Sequence, residues 1–251
     1  LGAISTFIEP CFVGHPGKGI GNLFQKQHIR TVTLTKTSVK DEIKAWLRSI
    51  YIKMRYVLFY KHSTRTYIGH LLKKNVPMRL EIGAGYKKGT NGWITLDMNK
   101  TCDLYWDLRD GIPFPDNSIE AIYSSHLFEH LTYQQILGLL KESKRVLKPG
   151  GTFSICVPNA RPYIEAYLNN DRTFWNNIPA FYEPALGGNA GLDMVNYIAY
   201  MDGEHKYLFD QENLMEVLKV SGFNNVRPRG FDPELDMKGR DYESVYAIAN
   251  K

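Results

Sequence analysis

Apolar residues recur along this chain in two rhythms that lay out an alternation of strands and helices. Arg79-Leu80-Glu81-Ile82 runs straight into Gly83-Ala84-Gly85, as a buried strand entering a tight turn does. Trp93 to Leu96 is a second β-favouring run, and it ends on Asp97. Cys102 to Leu108 reads as a short third strand carrying another acid, Asp107. Ile119 to Tyr123 and Thr152 to Val157 give a fourth and a fifth. Between them Leu127, Leu131, Ile136, Leu139, Leu140 and Val146-Leu147 predict one helix, stopped by Lys148-Pro149-Gly150-Gly151. Asp210-Gln211-Glu212-Asn213 opens another helix through Val220, and Phe223–Arg229 and Glu243–Ala249 read as two last strands. Upstream, Ile43, Trp46, Leu47, Ile50, Met54, Val57 and Leu58 predict an amphipathic helix starting at an N-cap Ser38. It is expected to break near Ser63-Thr64 and resume through Leu72. Pro77 marks the boundary between an extension, residues 1–75, and an α/β domain, residues 76–251.

The first strand and its turn point to chemistry. Glycines at 83 and 85 let the backbone take positive φ and approach a ligand closely. Asp97, at the tip of a second parallel strand, is placed to accept hydrogen bonds from a ribose diol. A dinucleotide fingerprint would put a third glycine where Lys88 stands and aim a helix at a pyrophosphate. Tyr86 to Gly92 is too polar and glycine-rich for a full crossover helix, which disfavours a nicotinamide-dependent oxidoreductase.

The E-x-G-x-G form at 81–85 resembles motif I of class I S-adenosylmethionine (SAM) methyltransferases, and the likeness continues. D-L-x-x-G-x-P-F-P-D-N-S from Asp107, S-x-H-x-x-E-H-L from Ser124 and R-V-L-K-P-G-G-x-F from Arg145 follow in that family's order. The chain resembles the type 11 branch, and is similar to predicted methyltransferases of cell-surface polysaccharide biosynthesis. That similarity includes W-D-L-R at 106–109, H-K-Y-L-F-D at 205–210 and the late D-P-E-L and E-S-V-Y segments. The resemblance implies a Rossmann-like α/β fold: a seven-stranded, mostly parallel sheet in the order 3-2-1-4-5-7-6, with helices on both faces. It implies SAM as cofactor. Glu81, Gly83 and Gly85 would face its methionine part, Asp97 the ribose and Asp107 with Leu108 the adenine, with Ala84, Met98 and Ser124 also at the cofactor.

Around the reacting methyl, His126, Glu129 and His130 stand at i, i+3 and i+4, so one helical turn points all three the same way. A neutral histidine suits a general base near pH 7, and His205, where an insertion rejoins the domain, is the other candidate. The same H-x-x-E-H is also the inverted zinc-peptidase signature, without that family's context. It is similar as well to the E-x-x-E-H of quinone-ring O-methyltransferases, where the turn ligates a metal. A divalent ion is open here, with His126 in place of the first Glu. The plain alternative is that Glu129 and His130 only cap and pack the helix. Residues 158–209 form an aromatic-rich insertion over the carboxyl edge of the sheet, with Tyr163, Tyr167, Phe174, Trp175, Phe181, Tyr182, Tyr197, Tyr200 and Tyr207. Aromatic faces suit sugar rings, and packing is the alternative for each.

Composition narrows the class further. The 251 residues, 43% of them hydrophobic, fit one α/β domain with a real core plus an extension. Three distant cysteines match no metal spacing, so a reduced, cytoplasmic chain is expected. No apolar stretch is long enough to span a bilayer. The net charge of +5 gathers between residues 40 and 74, where a basic helix would dock on an anionic membrane face or a partner, or simply be solvated. No nucleic-acid motif follows the fourth strand, where Ser124-Ser125-His126 stands. The expected activity is methyl transfer to a hydroxyl of a sugar or glycan-like acceptor. The alternatives are a small-molecule, phenol- or quinone-type O-methyltransferase and a non-catalytic binding protein on the same fold. Oligomeric state is left open.

Overall fold

The computed structural model describes residues 39–74, 76–178 and 183–251. Expectations that fall on residues 1–38, and on Phe181 and Tyr182, lie outside the described residues. The chain divides after Trp46, and the second unit, Leu47–Lys251, carries the sheet. Of the first unit only the opening of one helix is described, with Ile43 and Trp46 exposed.

That helix, α1 (Val39–Arg55), runs without a break into a π-helical segment, Tyr56–Lys61, and on into α2 (His62–Lys73). The expected interruption at Ser63-Thr64 is absent. The helix registers its adjustment one turn earlier, where a wider turn re-aims side chains. Tyr56 and Tyr60 pack on Tyr105, and Thr64 Oγ1 donates to the Tyr105 carbonyl at 3.0 Å. Lys61 pairs with Asp110 at 2.9 Å and, like Arg65, lies over the Trp106 ring. Two of the basic residues in this stretch therefore serve packing.

The sheet forms as the alternation implies: β1 (Arg79–Ile82), β2 (Trp93–Asp97), β3 (Leu104–Tyr105), β4 (Ile119–Ser125), β5 (Leu147–Pro158), β6 (Asn224–Pro228) and β7 (Ser244–Asn250). Its order is β3-β2-β1-β4-β5-β7-β6, parallel through β5 and antiparallel at β5–β7 and β7–β6. Leu80, Ile82, Leu96, Ile119 and Ile122 are fully buried in the core, each contributing about 1.5–3 kcal/mol. The order reverses between β1 and β4, which pair Ile82 with Ser124, so the carboxyl edge opens there. β3 is only two residues long, and Asp107 lies beyond it as the cap of a 3-10 turn, Leu108–Asp110.

The β1–β2 connection, 83–92, contains no helix, in keeping with its polar composition. Asp103 holds it: one carboxylate oxygen accepts from Gly89 N, Thr95 N and Thr95 Oγ1 at 3.0–3.1 Å, and the other pairs with Lys88 at 2.8 Å.

After β4 the single expected helix is two pieces. A 3-10 turn, Phe128–His130, precedes α3 (Tyr133–Val146), which starts at Thr132 with a reciprocal capping box to Gln135. Lys148 to Gly151 form a bulge inside β5, with Gly150 at φ +75°. The insertion is helical: α4 (Arg161–Leu168), α5 (Arg172–Asn177) and α6 (Gly191–Tyr200) enclose a small core of their own. α7 (Gln211–Val220) then leads to β6, capped by Asp210.

Candidate functional site

At the carboxyl edge the glycine turn and Asp97 meet. Gly83 and Gly85 sit at φ +69° and +62°. A Cβ on Gly83 would lie 2.6 Å from Leu127 Cδ2, so only glycine lets the post-β4 loop close on the turn. Gly85 N–H donates to Asp97 Oδ2 at 3.0 Å. Burial raises the Asp97 pKa, opposed by the N–H groups of Gly85, Asn99 and Met98. Glu81 accepts from Lys87 Nζ at 2.7 Å. Ala84 is buried and Met98 is exposed.

Two of the expected cofactor residues sit otherwise than a strand-tip picture suggests. Asp107 is clamped by the Arg109 guanidinium at 2.6–3.0 Å, with Arg109 N also donating. Burial disfavours its charge, but Arg109 outweighs that and holds its pKa below the ordinary carboxylate range. Its own N–H donates to Tyr56 Oη at 2.9 Å. Ser124 is wholly buried, and its hydroxyl has no hydrogen-bond partner. Leu108 lines a cavity of about 430 Å³ together with Arg109, Leu127, Leu131, Leu139 and Glu142. This edge offers a glycine turn, a half-buried carboxylate and apolar walls. With no helix start between β1 and β2, it suits a nucleoside bearing a sulfonium better than a pyrophosphate.

The four acid–base candidates do converge, by a route other than a helical turn. His126 lies just beyond β4 in the left-handed region, φ +50°, and Glu129 and His130 follow on the 3-10 turn. His126 Nδ1 is 3.3 Å from Glu129 Oε1, and His130 Nε2 is 3.8 Å from the same oxygen. These are ion-pair contacts: neither Glu129 oxygen, nor His126 Nδ1, makes a well-formed hydrogen bond. Burial opposes charge on both partners, yet Cys156 and then Glu129 hold His126 above its ordinary pKa, and His126 holds Glu129 below its own. Ser244 spends its only hydroxyl proton on the Arg240 carbonyl, so His126 Nε2, 3.0 Å away, is the donor there. Both ring nitrogens of His126 are thus engaged. His205 comes in from the other side, its ring 5.2 Å from that of His130, and burial lowers its pKa. Lys206 N and Tyr207 N donate to the Glu129 carbonyl at 2.7 and 3.2 Å, which pins the His205 loop to the 3-10 turn.

The aromatic insertion is mostly self-packed. Tyr163, Phe174, Trp175 and Tyr197 belong to its own core, and Tyr207 stacks on Tyr133. Tyr167 and Tyr200 remain exposed. Residues that the sequence reading passed over are Lys87, Asp103, Arg109, Tyr56 and Ser244, each the partner of a residue it had singled out or of the loop between them. Only Arg109 carried a local signal, a cation two positions after Asp107.

Residues 103–155 match a family model described as a methyltransferase domain. No curated protein matches the chain. Among solved structures the chain is similar to a SAM-dependent methyltransferase from Archaeoglobus fulgidus, at 15% identity over 80% of this chain and 99% of that one, TM-score 0.43. A SAM-dependent methyltransferase from Methanosarcina mazei gives 15% identity over 73% and 96%, TM-score 0.44. Phosphoethanolamine N-methyltransferase 2 from Haemonchus contortus, in complex with SAM, gives 15% over 74% and 52%, TM-score 0.42.

Proposed function

We propose that this chain, a SAM-dependent methyltransferase on a class I fold, transfers its methyl group to a hydroxyl oxygen of a sugar or glycan-like acceptor. When bound, SAM supplies a methyl group made electrophilic by its sulfonium. The chain has two tasks. It holds the methionine end at Gly83–Gly85 and the adenosine end at Asp97, with Met98 and Leu108 alongside. It also brings the acceptor oxygen in line with the methyl carbon, within about 3–3.5 Å. As the new oxygen–carbon bond forms and the carbon–sulfur bond breaks, the O–H proton leaves on the side of Glu129, His130 and His205.

The observation that carries the oxygen reading is that cluster. His130 and His205 each direct Nδ1 at a backbone carbonyl, which leaves Nε2 as the basic atom, beside a carboxylate at the end of β4. The sugar reading is supported by the exposed Tyr167 and Tyr200 on the insertion and by the resemblance of the late segments. A screen with tritiated-methyl SAM over saccharides, small phenols and proteins tests it. Label in saccharides is expected; label confined to phenols or to protein overturns the glycan acceptor.

A second element of the reading concerns location. On α1 and the π-helical segment Leu47, Tyr51, Met54, Leu58 and Phe59 are exposed, with Arg48 and Arg55 among them. An apolar stripe set among cations suits peripheral contact with an anionic membrane surface. No helix among the described residues is long and apolar enough to cross a membrane.

A further inference from the structure

One group of side chains among the described residues turns electron-rich atoms toward one another. Glu129, His130 and His205 bring a carboxylate oxygen and two ring nitrogens within 4.8 Å of each other. The protonation of the rings follows from their partners. His130 Nδ1 is 3.0 Å from the Glu204 carbonyl oxygen, and His205 Nδ1 is 2.8 Å from that of Ile198. A carbonyl only accepts, so each Nδ1 carries the ring proton and each Nε2 turns outward as a lone pair. Glu129 is 2% exposed and both its oxygens lack a hydrogen bond. His126 Nδ1 offsets the Glu129 charge from one side at 3.3 Å; the Nε2 lone pairs of His130 and His205 offer that carboxylate no such partner and repel it unless a further cation joins all three.

We propose that Glu129, His130 and His205 bind a divalent transition-metal ion of the zinc type, through one Glu129 oxygen and the Nε2 atoms of both histidines. Two imidazoles with a single carboxylate favour such an ion over magnesium or calcium, which take oxygen donors. Ligand atoms around a tetrahedral ion held at about 2.0–2.2 Å lie roughly 3–3.5 Å apart. His130 Nε2 and Glu129 Oε1, at 3.8 Å, are close to that already. The surroundings are those of a metal shell. Two carbonyls orient the rings, and His126 Nδ1, 3.3 Å from Oε1, steadies Glu129. The His130 side chain is 35% exposed, so the cluster has a solvent side on which an open coordination position would face water or substrate.

The site stands whatever the acceptor is; its use in catalysis rests on the O-methyl reading above. With the ion bound, the two Nε2 lone pairs act as ligands in place of their role as bases; an acceptor hydroxyl at the open position would pass its proton to solvent water, and its oxygen would form the bond to the methyl carbon as the carbon–sulfur bond breaks and S-adenosylhomocysteine leaves.

The test uses the full chain, stripped with a chelator and titrated calorimetrically with zinc, magnesium and calcium salts, and with cobalt(II) followed in the visible. One zinc per chain, cobalt d–d bands and no magnesium or calcium binding are expected. Glu129→Gln, His130→Ala and His205→Ala should each weaken zinc by roughly 100-fold or more, beyond what loss of an outer partner does. Thermal unfolding of each variant checks that it is folded; if buried Glu129→Gln is not, the half-exposed His130→Ala decides. Absence of stoichiometric zinc binding in the wild type, or unchanged affinity in folded His130→Ala and His205→Ala, overturns the site. SAM titrated into the same samples separates the two readings. Zinc without SAM binding leaves the metal site and removes the methyltransferase; SAM without zinc does the reverse.

Discussion

At Asp97 a single carboxylate joins the glycine turn to the second strand, through Gly85 N–H at 3.0 Å. Burial alone would push it toward the neutral acid, and its backbone donors hold it back. A ribose diol bound there would add two more donors to the charged form, so ligand and turn would favour the same protonation state. Asp97→Asn keeps the size and loses the charge and half of the accepting capacity. Its SAM affinity should fall by about 1.5–3 kcal/mol, roughly 10- to 150-fold, the usual worth of hydrogen bonds to a charged group. Calorimetry reads this directly, and an unchanged Kd would remove Asp97 from the ribose. That Asp97 would meet the turn of Gly83 and Gly85 was legible in the sequence because the meeting is local, a strand end beside a turn. Arg109 on Asp107 and Asp103 across Gly89 were not, because pairing depends on where loops fold back. Gly89 is the sharpest case: a Cβ there would meet the Trp93 carbonyl oxygen at 2.2 Å, a demand made by a strand four residues on.

Among the elements, strands were easier to place than helix boundaries. Leu127 and Leu131 share the spacing of Ile136 and Leu139, so periodicity alone carries α3 back through a 3-10 turn of nearly the same repeat. Thr132 with Gln135 three residues on is the signal that sets the true start. The π-helical segment had no such signal; it follows from Tyr56 and Tyr60 reaching β3, a tertiary contact. The helix face left uncovered there carries a prediction of its own. Phe59 is 69% exposed, with Leu58 and Met54 beside it and Arg55 in the same turns. If this stripe meets a membrane, the full chain should co-sediment with vesicles containing anionic lipid and not with purely zwitterionic ones. Replacing Leu58 and Phe59 by Ser should lower the bound fraction several-fold, since each loses about 1.5–3 kcal/mol of apolar insertion. Equal sedimentation of wild type and double variant would refute the contact.

For the molecule as a whole, the succession of strands and helices was readable because each βα unit is local, while the strand order was expected only from the resemblance carried by the motifs between residues 79 and 157. The insertion was read as an acceptor platform, but among the described residues most of its aromatics form its own core, since it must bury apolar surface before it can present any. What locks the last strands to the sheet was invisible in sequence. Asp236, with its side chain 1% exposed, accepts from Arg229 at 2.6 and 2.8 Å, from Tyr123 Oη at 2.8 Å and from Asp232 N at 2.7 Å. Arg229 also donates to Ser154 Oγ and lies over Tyr246, so one ion pair ties together β4, β5 and β7. Burial disfavours the charge on Asp236, but Arg229 and its other donors outweigh it and lower its pKa. Asp103, Asp107 and Glu142 are shifted the same way, and Asp97 the opposite way. The sign follows. Between the lowered folded value and the unfolded value of about 3.9, the unfolded chain binds more protons, so stability rises with pH through that window. The contribution is complete above the unfolded value and drains away as pH falls through the folded one. Asp236→Asn removes the charge while keeping the shape, and leaves Arg229 without its carboxylate. At pH 7 it should cost about 3 kcal/mol. At an acid pH well below the unfolded value of about 3.9 the gap to wild type should narrow, because the wild-type carboxylate is then itself gaining a proton. Urea unfolding of both proteins at the two pH values measures it; a gap that stays constant would show that Asp236 stabilises the fold by shape and hydrogen bonding, with its charge contributing nothing.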